Sequence, residues 1–467
     1  MKTLKLFIIS ATIIITGCAT YNQTTQGFQT LFFSGNFSEA DKKLTSNPKA
    51  ETSINKLLYY FNRGTTLFML GELEESNIYF EKADKYIEYY NNQMQYEALA
   101  LVTNSMVKPY KAESFEGVMI HFYKALNYLN LKDYENAIVE CRRVDLKLKS
   151  LSEKFKTEGK SYKRDAFAHN LMGIIYEAAG NPNDAFIAYR NAVQIYEEDY
   201  QPLFNTPIPQ QLKKDIIRVA NRMGFYDEEE FYKRKFGIQY NPRTDLSTGS
   251  LVTFWLNGQG PIKAEWSVIL TNIGCHAGFI TFSNEELGFT MPLYIGNYSS
   301  TQQDELKNLS FLKISFPKYV ERPLYFTQAS YTINDTVSGN LETAENINKI
   351  AFQSLKDRMI REISNSIARV AIKKSMEMAG RNQNEYVGMA ISLTNMITER
   401  ADTRNWQTLP YSINYSRSML SPGSHTINFT SSGNENQTVT REFDIKQGQT
   451  TFLTFTNLQA NYTPPAN

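Results

Sequence analysis

The chain has 467 residues, with 49 lysines and arginines against 48 aspartates and glutamates, a formal net charge of +1. That balance lacks the basic excess of a nucleic-acid binder, so no nucleic-acid partner is expected. Three cysteines in such a length exclude a disulfide framework, and the length accommodates roughly two to four domains.

Lys2 and Lys5 precede an apolar run from Leu6 to Ile15. Such a run is too short to cross a bilayer, which takes about 20 residues. It ends in Ile15-Thr16-Gly17-Cys18, a small residue before a cysteine, which resembles the bacterial lipobox. The resemblance implies cleavage before Cys18, diacylation of its sulfur and acylation of the new N-terminus, with palmitate among the chains. Several acyl chains anchor stably where one is marginal. Ala19 rather than aspartate follows the cysteine, and Ala19 to Gln23 holds no acidic cluster. In similar lipoproteins that pattern favours the periplasmic face of the outer membrane. Residues 1–17 therefore read as a signal peptide and 18–27 as a lipidated polar tether.

Gly35-Asn36-Phe37 with Ala40 reads as the second half of a degenerate helical repeat. Three clearer units follow. Compact residues recur at Gly64, Ser76 and Ala83, at Ala125, Ala137 and Val144, and at Gly173, Ala185 and Ala192, with steps of twelve and seven residues each time. Bulky residues fall between them at matched offsets: Leu67 and Phe80, Tyr128 and Cys141, Tyr176 and Tyr189. Two antiparallel helices approach closely only where small side chains face the partner. This register resembles the tetratricopeptide (TPR) repeat, a helix–turn–helix unit of about 34 residues. The units cover roughly 57–90, 118–151 and 166–199. An extra helix over Tyr96 to Val107 and a charged insert over Leu151 to Ser161 separate them. Pro202, Pro207 and Pro209 stop the solenoid, and Leu212 to Met223 reads as its capping helix.

After about residue 245 the pattern changes to short alternating runs. Strands are expected over 251–256 and near 266–271, 277–282, 289–295, 310–316 and 326–334. Asn257-Gly258-Gln259-Gly260-Pro261 reads as a hairpin turn rather than a phosphate loop, because it lacks the following Lys-Ser/Thr and leads into a strand. From Asn346 to Ala379 one apolar stripe predicts a helix, with Gly380 able to cap it and a second helix from Tyr386 to Glu399. The tail from Tyr411 to Leu458 reads as hairpins. The fold class is thus multidomain α+β. An N-terminal α-solenoid of TPR-like helix pairs (28–237) leads into a β-rich domain (238–345), a two-helix insertion (346–402) and hairpins completing the β-rich domain (403–467).

The stretches "SFEGVMIHFYKALNYLNLKDYENAIVECRRVD", "AHNLMGIIYEAAGNPNDAFIAYRNAV", "LNGQGPIKAE" and "ERADTRNWQTLP" together resemble a poorly characterised family of TPR-containing bacterial envelope lipoproteins. The likeness spans most of the mature chain. The Gly-x-Gly-Pro turn at 258–261 and the Ala-Asp-Thr-Arg-x-Trp run at 401–406 carry its specificity. The resemblance implies a β-rich C-terminal half and a place in envelope assembly, and it carries over no catalytic residue.

No nucleophile or acid–base motif stands out, so no catalytic residue, cofactor or metal is assigned. His121 and His169 share a repeat position that is normally a packing site. Cys275 and His276 are adjacent on a strand and so point to opposite faces. Asp402, Arg404 and Trp406 read as a junction anchor in preference to a binding spot. The functional surface expected is the concave side of the repeats: Phe61, Thr65 and Phe68, then Phe122, Leu126 and Leu129, then Asn170, Ile174 and Glu177. That mostly apolar stripe marks a protein-partner groove if it is open. An inserted helix or the C-terminal half could equally cover it. The leading expectation is a non-catalytic, lipid-anchored periplasmic scaffold for a protein partner. The alternative is an envelope enzyme or regulator acting on peptidoglycan or glycan through the β-rich half.

Overall fold

The computed structural model describes residues 21–91, 108–154, 162–242, 247–285, 289–296, 300–308, 310–359 and 401–461. Cys18, the helix expected over Tyr96 to Val107 and the helix expected over Tyr386 to Glu399 lie outside them.

Five helix pairs build the N-terminal half among the described residues: α1 (Tyr21–Phe33) with α2 (Phe37–Thr45), α3 (Lys56–Leu70) with α4 (Leu73–Asn91), α5 (Ser114–Asn130) with α6 (Tyr134–Lys154), α7 (Ala166–Ala178) with α8 (Pro182–Ile195), and α9 (Gln210–Arg222) with α10 (Tyr226–Phe236). The recurring small residues do what their spacing predicts. A Cβ on Gly64 would sit 2.7 Å from the Phe80 ring, and one on Gly173 only 2.4 Å from Tyr189. The second helix of each of these pairs thus lays an aromatic ring directly on the backbone of the first. Ser76 Oγ, one step along the same register, donates to the Gly64 carbonyl at 2.8 Å. Local chemistry sets the ends. Asp165 caps α7 by accepting the Ala168 N–H at 2.7 Å, Pro182 opens α8, and Gly71 closes α3 with φ 82°.

Two expectations about this half are corrected. The polar stretch from Tyr21 to Gly27 is no tether but the start of α1, whose Phe28 and Phe32 are buried beside Ala40. The proline run does not end the solenoid either. The chain passes through a π turn (Tyr196–Tyr200) and a short helix (Gln201–Phe204), and α9 then packs on α8 with α10 as its own partner.

Among the described residues the C-terminal half contains three four-stranded sheets. One orders its strands β12-β1-β9-β8 and the second β11-β10-β6-β7. The strands are β1 (Gly249–Asn257), β6 (Phe326–Ile333), β7 (Val337–Asn340), β8 (Glu342–Asn346), β9 (Ser412–Leu420), β10 (Gly423–Gly433), β11 (Asn436–Ile445) and β12 (Thr450–Asn457). These two sheets stack around Leu251, Trp255, Phe326, Tyr331, Phe429 and Phe455. β1 is buried on both faces, in keeping with apolar residues at Leu251, Val252, Phe254, Trp255 and Leu256 that Thr253 alone interrupts. Its Leu251 and Trp255 enter the sandwich, while Val252, Phe254 and Leu256 join the core of the helical half. The molecule therefore layers helices, sheet and sheet.

The third sheet, β4-β3-β2-β5, has its own core of Val268, Leu270, Ile280, Phe282, Ile314 and Phe316. Its strands are β2 (Ile262–His276), β3 (Phe279–Asn284), β4 (Phe289–Tyr294) and β5 (Phe311–Val320), with α11 (Ser300–Lys307) between the last two. The segment at 257–261 is consequently no hairpin turn. β1 and β2 belong to different sheets, and the turn carries the chain from one to the other, with Gly258 at φ 66°. The β-rich domain expected as one unit has two cores. Of the helical insertion, 347–359 is described and is helical.

Candidate functional site

The nine stripe residues lie on α3, α5 and α7, the first helices of the three clear pairs. The face is not open. Phe61, Thr65, Asn170 and Ile174 have no solvent exposure, Phe68, Phe122, Leu126 and Leu129 are buried, and the Glu177 side chain retains 8% of its surface. The reading of an open groove is thereby corrected: the chain's own C-terminal half fills it. Residues 401–409 and strand β9 lie along the face in the place of a partner.

Trp406 is the centre of that contact. Its ring stacks on Phe61 at 4.2 Å between centroids and 13° between planes, with Phe80 and Tyr123 each at 5.8 Å. Its Nε1–H donates to Thr65 Oγ1 at 3.2 Å and to Thr408 Oγ1 at 2.8 Å. Further along, Phe122 packs on Phe167, which meets Tyr415 of β9. Tyr415 Oη donates to Asn170 Oδ1 at 3.4 Å. At the far end Arg417 of β9 reaches Glu177 at 3.1 Å and Asp215 at 3.2 Å.

Three buried polar clusters fasten the same seam. In the first, Glu113 binds Lys263 and Arg358, the latter at 2.6 Å. Burial pushes the Glu113 carboxyl up, but Arg358 and Lys263 outweigh it and hold the group below its ordinary range. Its neighbour Glu116 accepts from Tyr110 Oη at 2.6 Å, Glu113 N at 2.8 Å and Trp406 N at 2.7 Å. Burial raises Glu116 to about 7 although Lys263 opposes the shift. Glu113 and Glu116 also form the capping box of α5, so helix termination and domain docking share two side chains.

In the second cluster Arg218 clamps Glu177 at 2.7 Å and Asp215 at 2.7 Å. Burial would raise Glu177, yet Arg218 and Arg417 bring it down to about 2. The third cluster is held by tyrosine hydroxyls. Tyr162 Oη donates to Asp165 at 2.6 Å, and Tyr200 Oη donates to Glu345 at 3.0 Å. Burial raises both carboxyls, and the charge of Asp165 adds to the rise at Glu345. A cavity of about 20 Å³ beside them has room for a single water.

The other candidates separate cleanly. His121 is buried with Nδ1 2.8 Å from Glu140, and His169 faces Asp145 at 3.1 Å, both within the helical half. Cys141 is buried, Cys275 is exposed, and both are free thiols. Asp402 and Arg404 pair at 2.6 Å beside Trp406, as the anchor reading anticipates. Among the described residues no group of three or more His, Cys, Asp or Glu is placed to hold a metal. Glu345, Tyr415 and Arg417 are seam residues that sequence reasoning missed, and the solvated helix face expected at Glu113, Glu116 and Glu140 is corrected, since all three are buried. A buried arginine inside an alternating strand carries no local signal of its partners.

No protein-family model matches the chain, and no curated protein matches it. Solved structures similar to it include MamA from Desulfovibrio magneticus RS-1, at 15% identity and TM-score 0.28 over 46% of this chain and 89% of that one. The apo form of RapI shares 16% identity at TM-score 0.33, over 45% of this chain and 67% of that one. A kinesin light chain from Podospora anserina with nearly identical TPR-like repeats shares 12% identity at TM-score 0.31, over 46% of this chain and 92% of that one. The repeat reading rests on the helix pairs of this chain itself. No helix among the described residues is long and apolar enough to cross a membrane.

Proposed function

We propose that this chain is a non-catalytic scaffold of the bacterial cell envelope. It is anchored through acylated Cys18 at the periplasmic face of the outer membrane and holds a protein partner in envelope assembly or secretion. The observation that carries the reading is the closure of the helical half on its own β-rich half. Repeats that elsewhere present a groove are here fused to a sandwich through Trp406, Tyr415 and Arg417, which makes a platform whose outer surfaces are left for partners. An enzyme reading would turn to Glu113 and Glu116, where burial lifts Glu116 to about 7. Both are buried beneath Trp406, Lys263 and Tyr110, where a glycan cannot reach them.

Two measurements test the proposal together. Cross-linking in intact cells with mass spectrometry should recover one protein joined to outer surfaces of the chain. Cys18→Ser should release the protein from membrane fractions or leave an unprocessed precursor. Unchanged, alkali-resistant membrane association of Cys18→Ser removes the anchor. Turnover of purified peptidoglycan or glycan by the protein removes the scaffold.

A further inference from the structure

Beyond the seam, one cleft of about 620 Å³ opens between the two halves, a volume within the range of ligand sites. Its first wall is built from helix-pair turns and carries Phe33, Phe37, Phe68 and Leu73. Its second wall is the outer edge of the sandwich, where β12 ends one sheet and β11 ends the other.

β12 pairs with β1 in parallel and without a break, from Ser250 opposite Thr450 to Asn257 opposite Asn457. The Gln449 and Asn457 carbonyls accept from Ser250 N and Gly258 N, so the odd-numbered residues face β1. Successive residues of a strand alternate in direction. Phe452, Thr454 and Thr456 therefore turn their N–H and C=O groups outward, and all three line the cleft. Such an edge is a template for another strand.

The side chains flanking the edge are not alike. Phe452 leans to the helical layer, while Leu453 and Phe455 enter the sandwich. Arg441 of β11 lies on the sandwich side, 4.6 Å over the Phe455 ring, and donates to the Thr454 carbonyl at 3.0 Å. No carboxylate among the described residues pairs with it. A strand laid against β12 would turn alternate side chains to the apolar turns and to Arg441. Arg441 stands midway along the edge, where a passing side chain meets it and a chain terminus does not.

We infer that the edge of β12, which no other strand among the described residues pairs, is a docking site for an extended segment of a partner protein whose side chains alternate apolar and acidic. The segment adds a strand to the sheet and sets a carboxylate on Arg441. This inference rests on the scaffold reading and names its surface and the chemistry of its partner. A competing role for Arg441 is to guard the edge, since inward-pointing charges discourage strand pairing.

A short fluorescein-labelled peptide alternating valine and glutamate is the probe, with its valine–lysine twin as control, on the full chain. The glutamate peptide should bind and slow hydrogen exchange over 450–457, and the lysine twin should not. Arg441→Glu should weaken binding by about tenfold or more. Thr454→Pro should abolish it, because the proline removes an outward N–H and leaves pairing with β1 intact. An unchanged thermal midpoint verifies the fold of each variant. Absence of binding at roughly 1 mM peptide overturns the inference, as does binding indifferent to both substitutions. Self-association of Arg441→Ala without peptide binding also overturns it and assigns Arg441 to edge protection. Cellular cross-links that map to another face sink this site while leaving the scaffold reading standing.

Discussion

Trp406→Ala should uncouple the two halves of the molecule. The side chain is 1% exposed, and a buried tryptophan removes about 200 Å² from water. At about 25 cal/mol per Å² that is about 5 kcal/mol, in line with the ~3–5 kcal/mol typical of truncating a buried aromatic to alanine. The ring stacked on Phe61 adds roughly 1 kcal/mol that depends on both partners. Phe61 belongs to α3 and Trp406 to the stretch before β9, so their coupling measures the seam directly. Urea unfolding followed by far-UV circular dichroism, with hydrogen exchange over 56–70, provides the assay. Wild type should lose protection in α3 only with the β-rich half. Trp406→Ala should expose α3 early and split the transition. A double-mutant cycle with Phe61→Leu should give a coupling of about 1 kcal/mol. Strictly additive variants, or an α3 protected as in wild type, would show that the stacked pair does not join the halves.

Gly173→Ala places a methyl 2.4 Å from the Tyr189 ring and should cost about 2 kcal/mol or more; a calorimetric midpoint equal to wild type would displace the repeat register. Replacing Phe68 and Phe122 with serine should unfold the helical half rather than spare it, because both are buried; a folded double variant, read by circular dichroism, contradicts the filled face. Glu177 has a folded pKa lowered from 4.5 to about 2. Its contribution is fully present above the unfolded value and is lost as pH falls from about 4.5 towards 2, roughly 3 kcal/mol in all. Glu177→Gln should flatten that acid limb of a stability–pH curve, and an unaltered limb would refute the assignment. Glu345 is raised, so its sign is opposite. It costs nothing below the ordinary carboxylate range and weakens folding as pH rises above it. Glu345→Gln should therefore gain stability relative to wild type at pH above that range, and a variant less stable there would show that the carboxylate is a net asset.

The helical half was legible in the sequence because its determinants are local. A glycine and the ring that rests on it are sixteen residues apart in both Gly64–Phe80 and Gly173–Tyr189, so one helix pair contains the whole contact, and the twelve- and seven-residue steps record it. Strand positions were legible for the same reason, since alternation is written along each strand. The degenerate ends were not. The polar stretch that opens α1 reads as a tether until Phe28 and Phe32 find Ala40, and α10 carries a mostly charged run with little apolar stripe. The stripe from Phe61 to Glu177 was identified as one face, yet its occupant could not be read there. An apolar stripe facing solvent-borne partners and one facing the chain's own strands have the same composition. Only the tertiary structure brings Trp406 to Phe61, Arg417 to Glu177 and β12 beside β1. Each of these contacts closes a loop of some 200 residues or more. No residue near either end specifies such a partner, because burial and charge pairing act through space and leave no period in the sequence.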